Sequence, residues 1–134
     1  MRNLSVGAWD PAEQIVELSD SVLAELLAAA DCLDEEDFGL SVAQVSRLAA
    51  TVRLRPEAWQ PAAALDDQQV IRLVRLYTLA EGRFPEWKAG SASPVIALCR
   101  LLRRRSAWPA DLTAWIKAHS DNKFLPYGSL ADRL

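Results

Sequence analysis

Apolar residues recur at helical spacing in three segments of one design. Val42, Val45 and Leu48 accompany Arg47; Val70, Leu73 and Leu76 accompany Arg75; Val95, Leu98 and Leu101 accompany Arg100. At about 100° per residue, each apolar trio lies on one side of an α-helix and its arginine on the other. No segment alternates with period two, so no strand is expected.

Punctuation sets the element boundaries. Asp10, Pro11 and Glu13 combine a capping carboxylate, a proline at the first helical position and a glutamate three residues after the cap, which predicts a helix start. Ser19, Asp20 and Ser21 offer new caps ahead of Val22, Leu23, Leu26, Leu27, Ala30 and Leu33, which share a face. The acidic run 34–37 leaves that helix, with Gly39 as its expected stop. Ser41 caps a third helix with the stripe Val42, Val45, Leu48, Ala49 and Val52. Pro56 and Pro61 bracket a connector with room for one helical turn around Trp59. Asp66 caps the next helix, in which Val70, Ile71, Leu73, Val74, Leu76, Tyr77 and Leu79 leave only a narrow polar strip. That breadth marks the central, most buried helix, closed by Gly82 and followed by a break at Phe84 and Pro85. Ser93 and Pro94 start another helix, and Pro109 to Asp111 open the last, which carries Leu112, Trp115 and Ile116.

The fold class is therefore all-α, a single compact bundle of five to seven short helices. An internal repeat offers a variant of it. Without gaps, residues 42–59 align with 70–87 and pair Val42 with Val70, Arg47 with Arg75, Leu48 with Leu76, Arg55 with Arg83 and Trp59 with Trp87. Stacked units would make a short array of helix pairs. Shared amphipathic patterning yields the same matches without duplication.

Composition bounds the rest. A chain of 134 residues, 51% of them hydrophobic, can build one core and has no room for a second, so residues 1–134 are read as one domain. No apolar run of about 18 residues and no signal-type apolar segment is present, so a cytoplasmic protein without membrane contact is expected. Cys32 and Cys99 fall on apolar helix faces and read as free thiols packed as small hydrophobes. Net charge is −3, but residues 1–66 carry −8 and residues 67–134 carry +5. Such a split orients a partner in the field of the protein, or draws the two halves of the fold together.

Catalytic and metal chemistry finds little purchase. His119 is the only histidine, and no zinc-ligand spacing exists among Cys32, Cys99 and the carboxylates. Residues 34–45 imitate a calcium loop through Gly39, yet Phe38 and Val45 stand where oxygen ligands are required. A Cys99–His119 pair would need an activated thiol, whereas Cys99 lies on the core side of its helix. There is no glycine-rich phosphate loop or nucleophile elbow. Neither a cofactor, a metal nor a catalytic residue is assigned.

The remaining constellation is basic and aromatic. Arg100, Arg103 and Arg104 fall within an arc of about 100° opposite the apolar face, and Ile96 lies in the same sector. Arg105 points elsewhere, toward its own helix end. Lys117 and Lys123 follow, then Phe124 to Gly128, a stretch apolar enough that it must fold back over the core or meet a partner. Leu130 and Leu134 have the same choice. Ile96, Arg100, Arg103, Arg104, Lys117, Lys123, Phe124 and Tyr127 form the expected partner-binding surface. Trp9, Trp59 and Trp108 stand just before prolines and read as structural pegs. Trp87, between Glu86 and Lys88, is expected to be partly exposed and leads to Ser93, where a helix start could receive an anion or ligand.

Three functional classes follow. The first is a non-enzymatic interaction or adaptor domain that engages an acidic protein surface or a second copy of the chain. The second is a nucleic-acid-binding helical domain, against which stands a pI near 5.1. The third is a small-ligand-binding or enzymatic domain around Trp87, Ser93 and Tyr127.

Overall fold

The computed structural model describes residues 15–128. Five α-helices make up the frame: α1 (Asp20–Ala30), α2 (Val42–Leu48), α3 (Asp67–Arg83), α4 (Pro94–Arg104) and α5 (Leu112–His119). Short 3-10 segments join them, at Glu36–Gly39, Ala49–Arg53, Pro56–Ala64, Pro85–Trp87 and Gly90–Ala92. No strand occurs among the described residues, and the all-α reading of the sequence holds. The expected helix from Asp10 lies outside the described residues.

The caps explain the starts. Ser19 accepts the N–H of Val22 at 3.2 Å, opening α1. Ser41 and Gln44 form a reciprocal capping box at the head of α2, and Asp66 and Gln69 form another at the head of α3. Each box satisfies two backbone donors that a helix start otherwise leaves free, and a cap of this kind is worth roughly 1 kcal/mol. Ser93 accepts the N–H of Val95 at 3.2 Å, with Pro94 beside it at the first position of α4.

Helix α3 is the axis of the molecule. Val70, Leu73, Val74, Leu76 and Ala80 are fully buried, and α1, α4 and α5 all pack on it. Its polar strip is narrower than the pattern predicts, because even Arg75 is half-buried and lies over the ring of Trp115, 4.8 Å from its centre. Gly82 does not end the helix; Arg83 still belongs to it, and the stop comes from Pro85, which restricts Phe84 to extended backbone.

Two further departures have local causes. The acidic run does not trail off α1, which ends at Ala30. Asp37, Phe38 and Gly39 all take left-handed φ angles of 52°, 57° and 71°, so the chain turns tightly there. Only Gly39 adopts that region without cost. Phe38 is held in it by an edge-on contact with Phe84 at 5.8 Å, and Asp37 by an ion pair with Arg83 at 3.1 Å. Val42, expected on the core stripe of α2, is 85% exposed. With only seven residues, α2 buries Val45 and Leu48 and its first turn stands clear.

The sequence repeat does not carry through to the backbone. The windows agree over α2 and the first turns of α3, after which one becomes 3-10 segments and the other continues as unbroken helix. Its paired tryptophans do converge. Trp59 meets the ring of Tyr77 edge-on at 5.5 Å, and Trp87 lies on it, tilted, at 5.5 Å. The Tyr77 hydroxyl shares a 2.6 Å hydrogen bond with Thr51, and burial pushes its ionisation well above the ordinary range against the opposing pull of that bond.

Charges partly neutralise across the chain. Arg72 reaches Asp31 at 3.3 Å and Arg83 reaches Asp37, so basic residues of the second half pair with acids of the first. Arg47 pairs with Glu25 inside the acidic half, and hydrogen bonds from Arg47 and Gln44 hold the Glu25 carboxyl below its usual value although burial works the other way.

Candidate functional site

Helix α4 has an apolar side sunk into the core and an arginine side that three neighbours divide among themselves. Leu98, Cys99 and Leu102 are buried almost completely. Cys99 is free, and burial raises its thiol to about 11 although Arg103 and Arg100 lie close enough to oppose this. At pH 8 such a thiol is ionised to only about one part in a thousand. Cys32 is also free but half-exposed; Glu35 beside it pushes its thiol pKa above the ordinary value as well, so exposure and not activation sets it apart. Native protein mixed with an aromatic disulfide reagent at pH 8 is therefore expected to show one fast thiol, Cys32, and a second only after denaturation. Equal rates would contradict the enclosure of Cys99.

The arginines that the helical projection sets in one stripe go to different flanks. Arg103 turns to the C-terminal segment and lies over the Tyr127 ring, 5.3 Å from its centre. The Tyr127 hydroxyl shares a 2.8 Å bond with Thr113, whose oxygen also accepts the indole N–H of Trp108 at 3.0 Å. Arg105 does not serve its own helix end. It donates to Asp67 at 2.9 Å and to the Ala63 carbonyl at 2.8 Å, fastening α4 to the junction between Pro56–Ala64 and α3.

Arg100 and Arg104, four residues apart, line a groove between α4 and the Pro56–Ala64 segment. The groove consists of two adjoining hollows of about 240 and 330 Å³. Both share Pro56, Trp59, Ala97 and Arg100. One extends past Gln60, Ala63 and Leu101 to Arg104, with Glu57 on the opposite wall. The other runs past Leu54 and Ile96 to Ser91, Ala92 and Ser93. Arg104 is exposed and makes no ion pair among the described residues.

Several site expectations change. Ile96 is only 5% exposed and contributes to the groove as part of its lining, not as a protruding contact. Trp87 is 2% exposed and donates its indole N–H to the Val45 carbonyl at 2.9 Å, so it is a core residue. Its neighbours Glu86 and Lys88 are exposed, while the ring between them turns inward. Ser93 is buried, and its side chain already occupies the N–H of Val95 that an anion was expected to take. Lys117 and Lys123 are exposed but neither lines the groove, and Lys123 lies over the neighbouring Phe124 ring at 5.4 Å. The 124–128 stretch folds back: Leu125, Pro126 and Gly128 are buried, and Phe124 and Tyr127 half-buried. Leu130 and Leu134 lie outside the described residues.

The sequence reading missed the far wall. Pro56 to Ala64 looked like a connector, yet its two prolines, which fix φ at residues 56 and 61, mark a stiff segment able to form one side of a groove. Ala97, small and half-buried, was the other available signal, because a short side chain on the polar side of α4 leaves the space that Arg100 borders.

Among the described residues, no group of three or more His, Cys, Asp or Glu could hold a metal ion, and no helix is long and apolar enough to cross a membrane. Comparison of the chain with models of protein families, with curated proteins and with solved structures finds no match.

Proposed function

We propose that this chain is a non-enzymatic interaction domain whose α4 face engages an acidic protein surface. The observation that supports this best is the groove itself, whose lining sets Trp59 and Leu101 beside Arg100 and ends at exposed Arg104. Apolar and cationic side chains side by side suit a partner that supplies both apolar and carboxylate side chains. Only Glu57 on the opposing wall works against an acidic occupant.

The test compares polyglutamate with a generic DNA oligonucleotide, each titrated into the protein by calorimetry at low and at physiological salt. Polyglutamate binding that weakens with salt and falls at least tenfold in Arg104→Glu is expected. No polyglutamate binding at low salt would remove the proposal. Tighter binding of the oligonucleotide, with affinity falling log-linearly with salt, would replace it with phosphate recognition. Sedimentation of the protein alone at high micromolar concentration then shows whether a second copy supplies the acidic surface.

A further inference from the structure

Residues 120–128 run from the end of α3 to α4 as a strap held at three points. Asn122 is bonded to Glu81 of α3 at 2.9 Å and to the Gly90 carbonyl at 3.1 Å. Leu125 is 2% exposed, in the core. Tyr127 shares its hydroxyl with Thr113 of α5 and lies under Arg103 of α4, whose guanidinium carbon stands 5.3 Å from the ring centre. The last hold differs from the others, because Arg103 is exposed and makes no ion pair among the described residues.

A cation over an aromatic ring at a solvent-exposed position is a weak bond, worth a factor of about two to five in equilibrium. A carboxylate offers the same guanidinium charge-assisted hydrogen bonds, often two in parallel, and these are stronger. Arg104 is the next residue on the exposed side of α4, about 100° round the helix, and it lines the groove on the other flank. An acidic partner seated at Arg104 therefore brings carboxylates close to Arg103. While Arg103 lies on Tyr127 it leans away from that flank, and to share the partner it has to swing back and give up the ring.

We propose that the C-terminal segment is an autoinhibitory strap: Tyr127 holds Arg103 away from the docking face, and an acidic partner bound at Arg104 competes for Arg103 and loosens the segment. This rests on the reading of α4 as a docking face. The coupling is reciprocal, so freeing the strap strengthens acidic binding just as acidic binding frees the strap. Its size is bounded by the contact that is exchanged, about two- to fivefold.

Polyglutamate titrated by calorimetry at low salt into the full chain and into Tyr127→Leu, which keeps apolar bulk and removes the ring, tests this. Tyr127→Leu is expected to bind about two to five times more tightly than the wild type. Adding Arg103→Gln to Tyr127→Leu is expected to cancel the gain, which ties it to Arg103 and not to a general loosening of the fold. Amide exchange over residues 120–128 of the wild type is expected to quicken when polyglutamate saturates the protein, the reverse of the protection a ligand ordinarily gives. That measurement needs no substitution and decides the question if Tyr127→Leu fails to fold by circular dichroism. Unchanged binding in Tyr127→Leu, or exchange that slows on binding, would overturn the strap while leaving acidic docking in place. Weaker binding in Tyr127→Leu would overturn it too, by showing that the ring presents Arg103 to the partner. No polyglutamate binding to either protein would remove both readings.

Discussion

Trp87→Ala is expected to lower the stability of the fold by about 3–5 kcal/mol, seen as a large shift of the urea midpoint by far-UV circular dichroism. The ring is 2% exposed and lies 5.5 Å from both Tyr77 and Phe84, so its removal leaves a void bounded by other aromatic rings on α3 and the following turn. Rigid aromatic neighbours close poorly over a void, which places the loss toward the upper end of the range. Trp87→Phe separates packing from hydrogen bonding. It keeps most of the ring contacts and loses only the donor to the Val45 carbonyl. That carbonyl still accepts the N–H of Ala49, so the cost should stay near 1 kcal/mol. Comparable losses for the two variants would mean that the hydrogen bond, not the ring, is what the core requires.

The effect should extend to the groove. Trp87, Tyr77 and Trp59 form a column of rings, and Trp59 at its other end lines both hollows beside α4. A core residue thus reaches the groove floor through the Tyr77 ring. Proteins of this size are stable by roughly 5–15 kcal/mol, so Trp87→Ala leaves a folded population in which peptide binding can still be measured.

These aromatic contacts show what the sequence makes legible. Helix starts were readable because Ser19, Ser41, Asp66 and Ser93 perform a local task, accepting N–H groups two or three residues away. The centrality of α3 was readable because burial on most sides leaves few polar positions. Exposure was not readable wherever it depends on distant contacts. Trp87 sits among charged neighbours, and only the Val45 carbonyl, 42 residues earlier in the chain, explains why its ring turns inward. The arginine stripe on α4 was correct as a projection of one helix. Its division between Tyr127 and the Pro56–Ala64 segment is set by what packs on either flank, which helical periodicity does not encode. The same holds for the groove, since one wall came from a segment that periodicity could describe only as a connector.

Asn122→Ala is expected to cost about 2–3 kcal/mol and to release the C-terminal segment, measured as faster amide exchange over residues 120–128. Glu81, near the end of α3, is 7% exposed, and no cation pairs with it among the described residues. Its oxygens accept instead from the Asn122 amide at 2.9 Å, the Ser120 hydroxyl at 3.4 Å and the Ala89 N–H at 3.4 Å. The same Asn122 amide donates to the Gly90 carbonyl at 3.1 Å, and its oxygen accepts the N–H of Phe124 at 2.9 Å. One side chain thus joins α3, the turn at residues 89–92 and the segment that folds back under Tyr127. A buried carboxylate deprived of its best donor loses more than the bond itself, because the charge stays desolvated. Asn122→Asp should be worse than Asn122→Ala, since it sets a second carboxylate against the first. A loss in Asn122→Asp no larger than that in Asn122→Ala, or a neutral Asn122→Ala, would show that the segment is held by Leu125 packing and not by this clasp. If the clasp does hold it, Tyr127 stays under Arg103, and Arg104 alone of that arginine pair is left to meet a partner.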